Sequence, residues 1–116
     1  MSYVDGYVIP VPSNKKQAYR EMAVKAASVF KECGALRVVE CWGNDVPDGK
    51  VTDFKGAVKA KPDETIVFSW VMWPSKQARD AGMEKFRNDA RMKMAGDMPF
   101  DGQRMIFGGF EALLEM

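Results

Sequence analysis

The sequence predicts a ferredoxin-like α+β domain of the βαββαβ plan, with a four-stranded antiparallel sheet and both helices on one face. Three observations lead there. Apolar runs that read as strands alternate with two segments of helical periodicity. One of those runs, Ile66–Trp73, is broken only by Ser69. The two helical segments also begin and end alike. Both follow Pro-Ser (Pro12-Ser13 and Pro74-Ser75), both carry Lys-Gln-Ala in the first turn (Lys16-Gln17-Ala18 and Lys76-Gln77-Ala78), and both reach a glycine 21 residues after the serine, Gly34 and Gly96. The Pro-Ser and Gly matches are offset by 62 residues and the Lys-Gln-Ala match by 60, so a two-residue slip near Asn14-Lys15 aligns the halves. They read as two βαβ units in tandem. At 116 residues the chain has room for one domain, residues 1–116, with a core that needs no staples.

Strand one is Tyr3–Val11, with Tyr3, Asp5, Tyr7 and Ile9 on one face and Val4, Gly6 and Val8 on the other,. Pro10 and Pro12 cannot donate to a ladder, so regular pairing is expected to fade near Pro10. Ser13 or Asn14 caps the first helix, and Asn14 with Gln17 has capping-box spacing. Ala18, Met22, Ala26, Val29, Phe30 and Cys33 form its apolar stripe. Glu21 and Lys25 lie off that stripe as an i,i+4 pair. Gly34 stops the helix.

Strand two, Ala35–Trp42, carries Arg37 and Glu40 on opposite faces. Gly43–Lys50 is a turn-rich loop. Val51–Lys61 reads as a short helix capped by Thr52, with an irregular or extended segment as the alternative. Strand three, Thr65–Trp73, is apolar on both faces, the pattern of a central strand covered on both sides. Ser75 caps the second helix, whose stripe is Ala78, Gly82, Phe86, Ala90 and Met94, ending at Gly96. Phe86 is the only large ring on that stripe and must fill the space its small neighbours leave. Asp97–Gly102 is a tight connection. Gln103–Leu114 is strand four, where Gly108-Gly109 marks a bulge or a close backbone approach.

With helices on one face only, the other is bare. The strand phases assign Tyr3, Tyr7, Ile9, Val67, Val71 and Trp73 to it. That is more apolar surface than a soluble monomer usually exposes, and a second copy on a two-fold axis is the simplest cover.

Composition removes several classes of function. Net charge is +1, from 17 basic and 16 acidic residues spread along the chain. No clustered basic footprint for nucleic acid or an anionic membrane results. No apolar run approaches the ~20 residues that span a bilayer. The N-terminus lacks the basic region and cleavage site of a signal peptide, so a cytoplasmic protein is expected, with Cys33 and Cys41 as reduced thiols. The chain has no histidine. That removes Ser-His-Asp hydrolysis, histidine general bases, His-ligated haem and the common zinc sites. No metal and no cofactor are expected.

Three stretches carry a resemblance: Tyr3-Val4-Asp5-Gly6; Gly34–Trp42 with Asp45–Phe54; and Met98–Phe110, MPFDGQRMIFGGF. Over essentially its whole length the chain resembles the YbaA-like bacterial family of unknown function. The resemblance implies the dimeric α/β-barrel superfamily, in which two ferredoxin-like sheets pack face to face. It implies no reaction.

Polar residues within apolar strands are the site candidates. On a functional reading, Asp5 or Glu40 is a base, Arg37 or Arg104 holds an anion, and Tyr7 donates or orients a proton. On a structural reading, the same residues form a buried ion-pair network that sets dimer register. Two functions stay open. One is a cofactor-free enzyme or binder of a small aromatic or anionic molecule. The other is a non-catalytic homodimeric module for regulation or stress response. A cavity of ~300 Å³ or more with Arg or carboxylate in its wall favours the first, and a packed interior the second.

Overall fold

A computed structural model describes residues 2–93 and 98–116. The elements, in order, are β1 (Tyr3–Pro12), α1 (Lys16–Glu32), β2 (Arg37–Trp42), α2 (Phe54–Ala57), β3 (Glu64–Trp73), α3 (Lys76–Asn88), α4 (Ala90–Lys93) and β4 (Ile106–Glu111). The four strands form one antiparallel sheet in the order β2-β3-β1-β4. Strands one and three are central, as the tandem repeat requires. The chain measures 38 × 37 × 21 Å, and 21 Å is the thickness of one sheet and one helix layer, each ~10 Å deep.

Pairing does not fade at Pro10. β1 stays in register with β3 from Tyr3 opposite Trp73 to Pro12 opposite Glu64. The Gly43 amide donates to the Ile66 carbonyl at 2.7 Å, so Ile66 turns its backbone groups toward β2. By alternation its partner Pro10 turns its nitrogen away from β3, to the side where β4 has already stopped at Ile106 opposite Val8. The missing donor therefore falls where no ladder exists.

The two-residue slip has a structural cause. Ser13–Lys15 form a 3-10 turn, and α1 begins at Lys16 as α3 begins at Lys76. Each helix therefore starts at the lysine of Lys-Gln-Ala. The expected capping box is absent. Ser13 Oγ lies 2.7 Å from Thr65 Oγ1, tying the helix to β3, and Gln17 donates to Glu21 instead. Gly34, with φ of 111°, closes α1 in a Schellman turn: Ala35 N–H donates to Phe30 O at 3.0 Å and Gly34 N–H to Lys31 O at 3.2 Å,. The buried residues of α1 are Tyr19, Ala23, Val29 and Phe30. The first two turns are thus rotated by one residue from the expected stripe, and Ala18 is exposed.

Ser75 caps α3 as expected, accepting from the Ala78 amide at 3.0 Å. Phe86 stacks on Phe30 with ring centres 3.9 Å apart, and Phe30 meets Trp73 edge-on. The second helix is not continuous to Gly96. Asp89 is extended and takes the Arg91 amide on its carboxylate, so Ala90 starts the separate α4 and is exposed. Met94, Gly96 and the first residue of the Asp97–Gly102 connection lie outside the described residues. α2 is capped by Asp53 rather than Thr52; its carboxylate takes the Gly56 and Gly49 amides. β4 covers only Ile106–Glu111 of the expected Gln103–Leu114 and keeps unbroken register with β1, so Gly108-Gly109 is no bulge. It is a close approach: a Cβ on Gly109 would strike the Tyr3 ring and the Arg79 guanidinium.

The strand phases hold, but the faces are exchanged. Tyr3, Tyr7, Ile9, Val67, Val71 and Trp73, expected on the bare face, lie beneath the helices, and Tyr7 bridges the two core clusters there. The open face carries Val4, Gly6, Val8, Trp70, Met72 and Phe110 around a recess of about 680 Å³. Its far end is covered by the segment after β2, where Phe54 meets Phe68 edge-on and Val58 is fully buried. Both sets of β3 side chains are apolar, so alternation separates them without saying which one the helices take.

Gly82 sets how closely α3 lies on the sheet. A Cβ there would sit 2.7 Å from the Cys33 carbonyl oxygen and closer still to the Trp73 ring. Alanine would gain about 1 kcal/mol of helix propensity but overpack the contact at a cost of up to about 3 kcal/mol. Gly82→Ala is therefore expected to destabilise the protein by about 2 kcal/mol. The check is the urea midpoint, and a rise in stability would show that α3 can lift off the sheet.

Candidate functional site

On the helix side, register assembles a row across all four strands. Phe107 of β4 stands opposite Tyr7 of β1, Tyr7 opposite Ser69 of β3, and Ser69 opposite Glu40 of β2. Residues directly opposite share a face, so the four side chains point the same way. They floor a cleft of about 800 Å³ between the sheet, α1, α3 and the chain leading into β4. Phe30, Phe86, Phe100 and several methionines make the walls apolar.

Glu40 is the acidic group of the floor. Tyr19 reaches across from α1 and donates to its Oε1 at 2.7 Å, and the Ser69 hydroxyl also bonds to it. Glu40 stays exposed on the edge strand β2, but partial desolvation against the cleft raises its carboxyl above the usual carboxylate range, and the two hydroxyl bonds offset part of that rise,. Burial, joined by the charge of Asp5, pushes the Tyr7 hydroxyl up to about 12. The Tyr19 hydroxyl is raised as well, first by burial and then by its bond to Glu40. Both tyrosines are therefore neutral donors at pH 7, and Glu40 is the floor group able to take a proton.

The five candidate residues part company. Tyr7 and Glu40 meet at the cleft floor. Asp5 shares their face but not the cleft. It is 4% exposed, accepts from Trp73 Nε1 at 3.0 Å, and is gripped by Arg79 through Nε at 3.1 Å and Nη2 at 3.0 Å. With both oxygens engaged, it anchors α3 to the sheet. Arg37 stands opposite Met72 on the open face and is exposed, so it cannot serve the same site as Glu40. Arg104 does not open strand four but lies in the loop before it. Its guanidinium forks onto Glu64 at 2.7 and 2.6 Å and also binds Asp101 and the Lys59 carbonyl. It staples the β4 loop to the start of β3.

Sequence reasoning missed Tyr19, Ser69 and Arg79. Ser69 was visible as the one polar residue in the β3 run. Tyr19 sits one position off the expected stripe of α1. Arg79 gave no signal among the charges of its helix; only the fold puts it over the Tyr3 ring, 4.9 Å from the ring centre, and onto Asp5.

Residues 2–102 match the family described as "Protein of unknown function (DUF1428)". The chain is similar to the "Uncharacterized protein YbaA" of Escherichia coli (strain K12), 63% identical over 116 residues that cover 99% of each chain. It is equally similar, over the same extent, to the protein of that description from Shigella flexneri.

The Arg104–Glu64 fork makes a pH-dependent contribution. The Glu64 side chain is 4% exposed, and the guanidinium holds its carboxyl down at about 2, from 4.5. A depressed carboxyl stabilises the fold above its unfolded value and loses that stabilisation as pH falls through the folded one. Arg104→Met should therefore lower the urea midpoint at pH 7, and the gap to wild type should close between pH ~4.5 and ~2. Acids that Arg104 does not touch cancel in the difference, and Asp101, which the same guanidinium also lowers, is exposed and adds a smaller change of the same sign,. A gap independent of pH would exclude Glu64 as the group concerned.

Proposed function

The chain belongs to the DUF1428 family, a YbaA-like bacterial family of unknown function, and from that premise we propose that it is a cofactor-free, homodimeric protein binding a compact aromatic molecule in the helix-face cleft. The observation that carries this reading is the row Glu40–Ser69–Tyr7 at the floor of an apolar cleft of about 800 Å³. A pocket of that size with a few convergent polar groups suits a small ligand. A carboxyl of raised proton affinity beside neutral hydroxyls suits proton exchange with a donor on it. In this reading Glu40 takes or shares the ligand's proton, Tyr19 and Ser69 hold Glu40 in place, and Tyr7 donates to a ligand oxygen. Asp5 and Arg104 serve the fold, and Arg37 lies on the dimer side. Cleft volume and the wall carboxylate favour this over a non-catalytic module with a filled interior.

The dimer is proposed through the open face. Phe68, Ile106 and Phe110 are 44%, 44% and 61% exposed there, around a recess with no charged lining residue. A two-fold partner would cover this surface and leave the helix-side cleft accessible in each subunit.

Two measurements test the proposal. Phenol titrated into the labelled protein should shift the amide signals of Tyr7, Glu40 and Ser69, and shifts confined to Val4, Trp70 and Phe110 would move the site to the other face. Sedimentation equilibrium at micromolar concentration should give twice the 13.0 kDa of one chain, and Phe110→Lys should give a folded monomer. A wild-type monomer would remove the dimer.

A further inference from the structure

Two cations at the cleft mouth take no part in the floor row. Lys25 of α1 and Arg87 of α3 both line the cleft and both are exposed. Among the described residues neither has an ion-pair partner, whereas Arg91, which also lines the cleft, is held by Glu32 and Asp89. Glu21, the i,i+4 partner that spacing assigns to Lys25, accepts instead from Gln17. Met22, Met83 and Phe86 are among the apolar residues that line the same cleft. The cleft thus has an acceptor with two hydroxyls on its floor, apolar walls, and the exposed cations Lys25 and Arg87 in its lining, with the Glu21 carboxylate also there but bonded to Gln17.

Resting on the reading of this cleft as a binding site, we propose that its ligand class is the hydroxyaryl carboxylic acids. The ring lies among Met22, Met83 and Phe86. The ring hydroxyl donates to Glu40 and accepts from Tyr7, while the carboxylate meets Lys25 and Arg87 at the mouth. The charges set the orientation: Glu40 repels a carboxylate from the floor, and the two cations draw it to the rim. The apolar walls exclude ligands whose middle is polar, since its groups would lose water without gaining partners.

The test compares three probes by calorimetry on the full chain: 4-hydroxyphenylacetate, phenylacetate and 4-methylphenol. 4-Hydroxyphenylacetate should bind about fivefold tighter than 4-methylphenol, the range of two exposed charge contacts. That advantage should vanish in Lys25→Gln/Arg87→Gln and in 1 M salt, where screening is nearly complete. Both positions are exposed, so the double variant should fold as wild type does. Phenylacetate should bind about tenfold more weakly than its hydroxylated form, because it leaves the floor acceptor unpaired. Equal affinity for 4-hydroxyphenylacetate and 4-methylphenol overturns the carboxylate assignment and leaves the cleft as a site for neutral arenes. Equal affinity for the two acids overturns the hydroxyl assignment. Binding of none of the three, with no amide shift at Tyr7, Glu40 or Ser69, overturns the binding-site reading and this inference with it.

Discussion

A carboxylate buried in the middle of the sheet dictates much of the packing around it. Asp5 lies on a central strand, under a helix, 4% exposed. A charge in that position costs several kcal/mol unless it is paired and its lone pairs are filled. Trp73 supplies an N–H from the next strand and Arg79 supplies a guanidinium from the helix that follows that strand. The Arg79 side chain can arrive only because its surroundings make room. Gly109 has no Cβ to block it, Tyr3 offers a ring face, and Gly82 lets α3 lie against Trp73. One carboxylate therefore ties together β1, β3, β4 and α3, and two glycines and a tryptophan are accounted for by a single electrostatic demand.

With α3 held in that place, the helix layer leaves a gap over the sheet between two core clusters. One cluster is centred on Phe30 and Trp73 and the other on Val11 and Tyr19, with Tyr7 touching both. The row of Glu40, Ser69 and Tyr7 lies across the gap. A fully packed sheet would have no use for a carboxylate there, and Tyr19 bends its hydroxyl in to satisfy it. The other face of the sheet differs in kind. Paired glycines, Gly6 opposite Gly108, make a shallow apolar floor ringed by Trp70, Met72 and Phe110. One side of the sheet carries a polar row under a cleft and the other an uncharged apolar recess, and the pleat keeps them apart because successive side chains cannot share a face,.

The element order, the central place of β1 and β3, the Ser75 cap and the Gly34 stop were all legible in single residues and their spacing. Each depends on chemistry within a few positions of the chain. The start of α3 at Lys76 follows from the Ser75 cap, whereas α1 begins at Lys16, later than the expected cap at Ser13 or Asn14, because Ser13–Lys15 form a 3-10 turn. The capping box at Asn14 was not realised, because Ser13 found a better partner in Thr65, 52 residues away. The second helix broke at Asp89, whose carboxylate prefers the Arg91 amide to a helical backbone,. Of the site, the sequence singled out Tyr7 and Glu40 as polar groups within apolar strands, and it placed Arg37 and Glu40 on opposite faces.

Alternation along the chain was enough to sort the side chains of strands one and three into two sets and to separate Arg37 from Glu40, and the absence of histidine was enough to narrow the chemistry. Which set faces the helices was beyond it. Period two is symmetric between faces, and in β3 both sets are apolar, so the choice rests on where α1 and α3 land. Packing decided that, and with it the partners of every charge. Asp5 went to Arg79 and Arg104 went to Glu64, while Glu40 was left at the cleft with two hydroxyls. These pairings join residues tens of positions apart, and for the buried Asp5 and Glu64 the energy that selects them is desolvation, which exists only once the chain has closed around the group,.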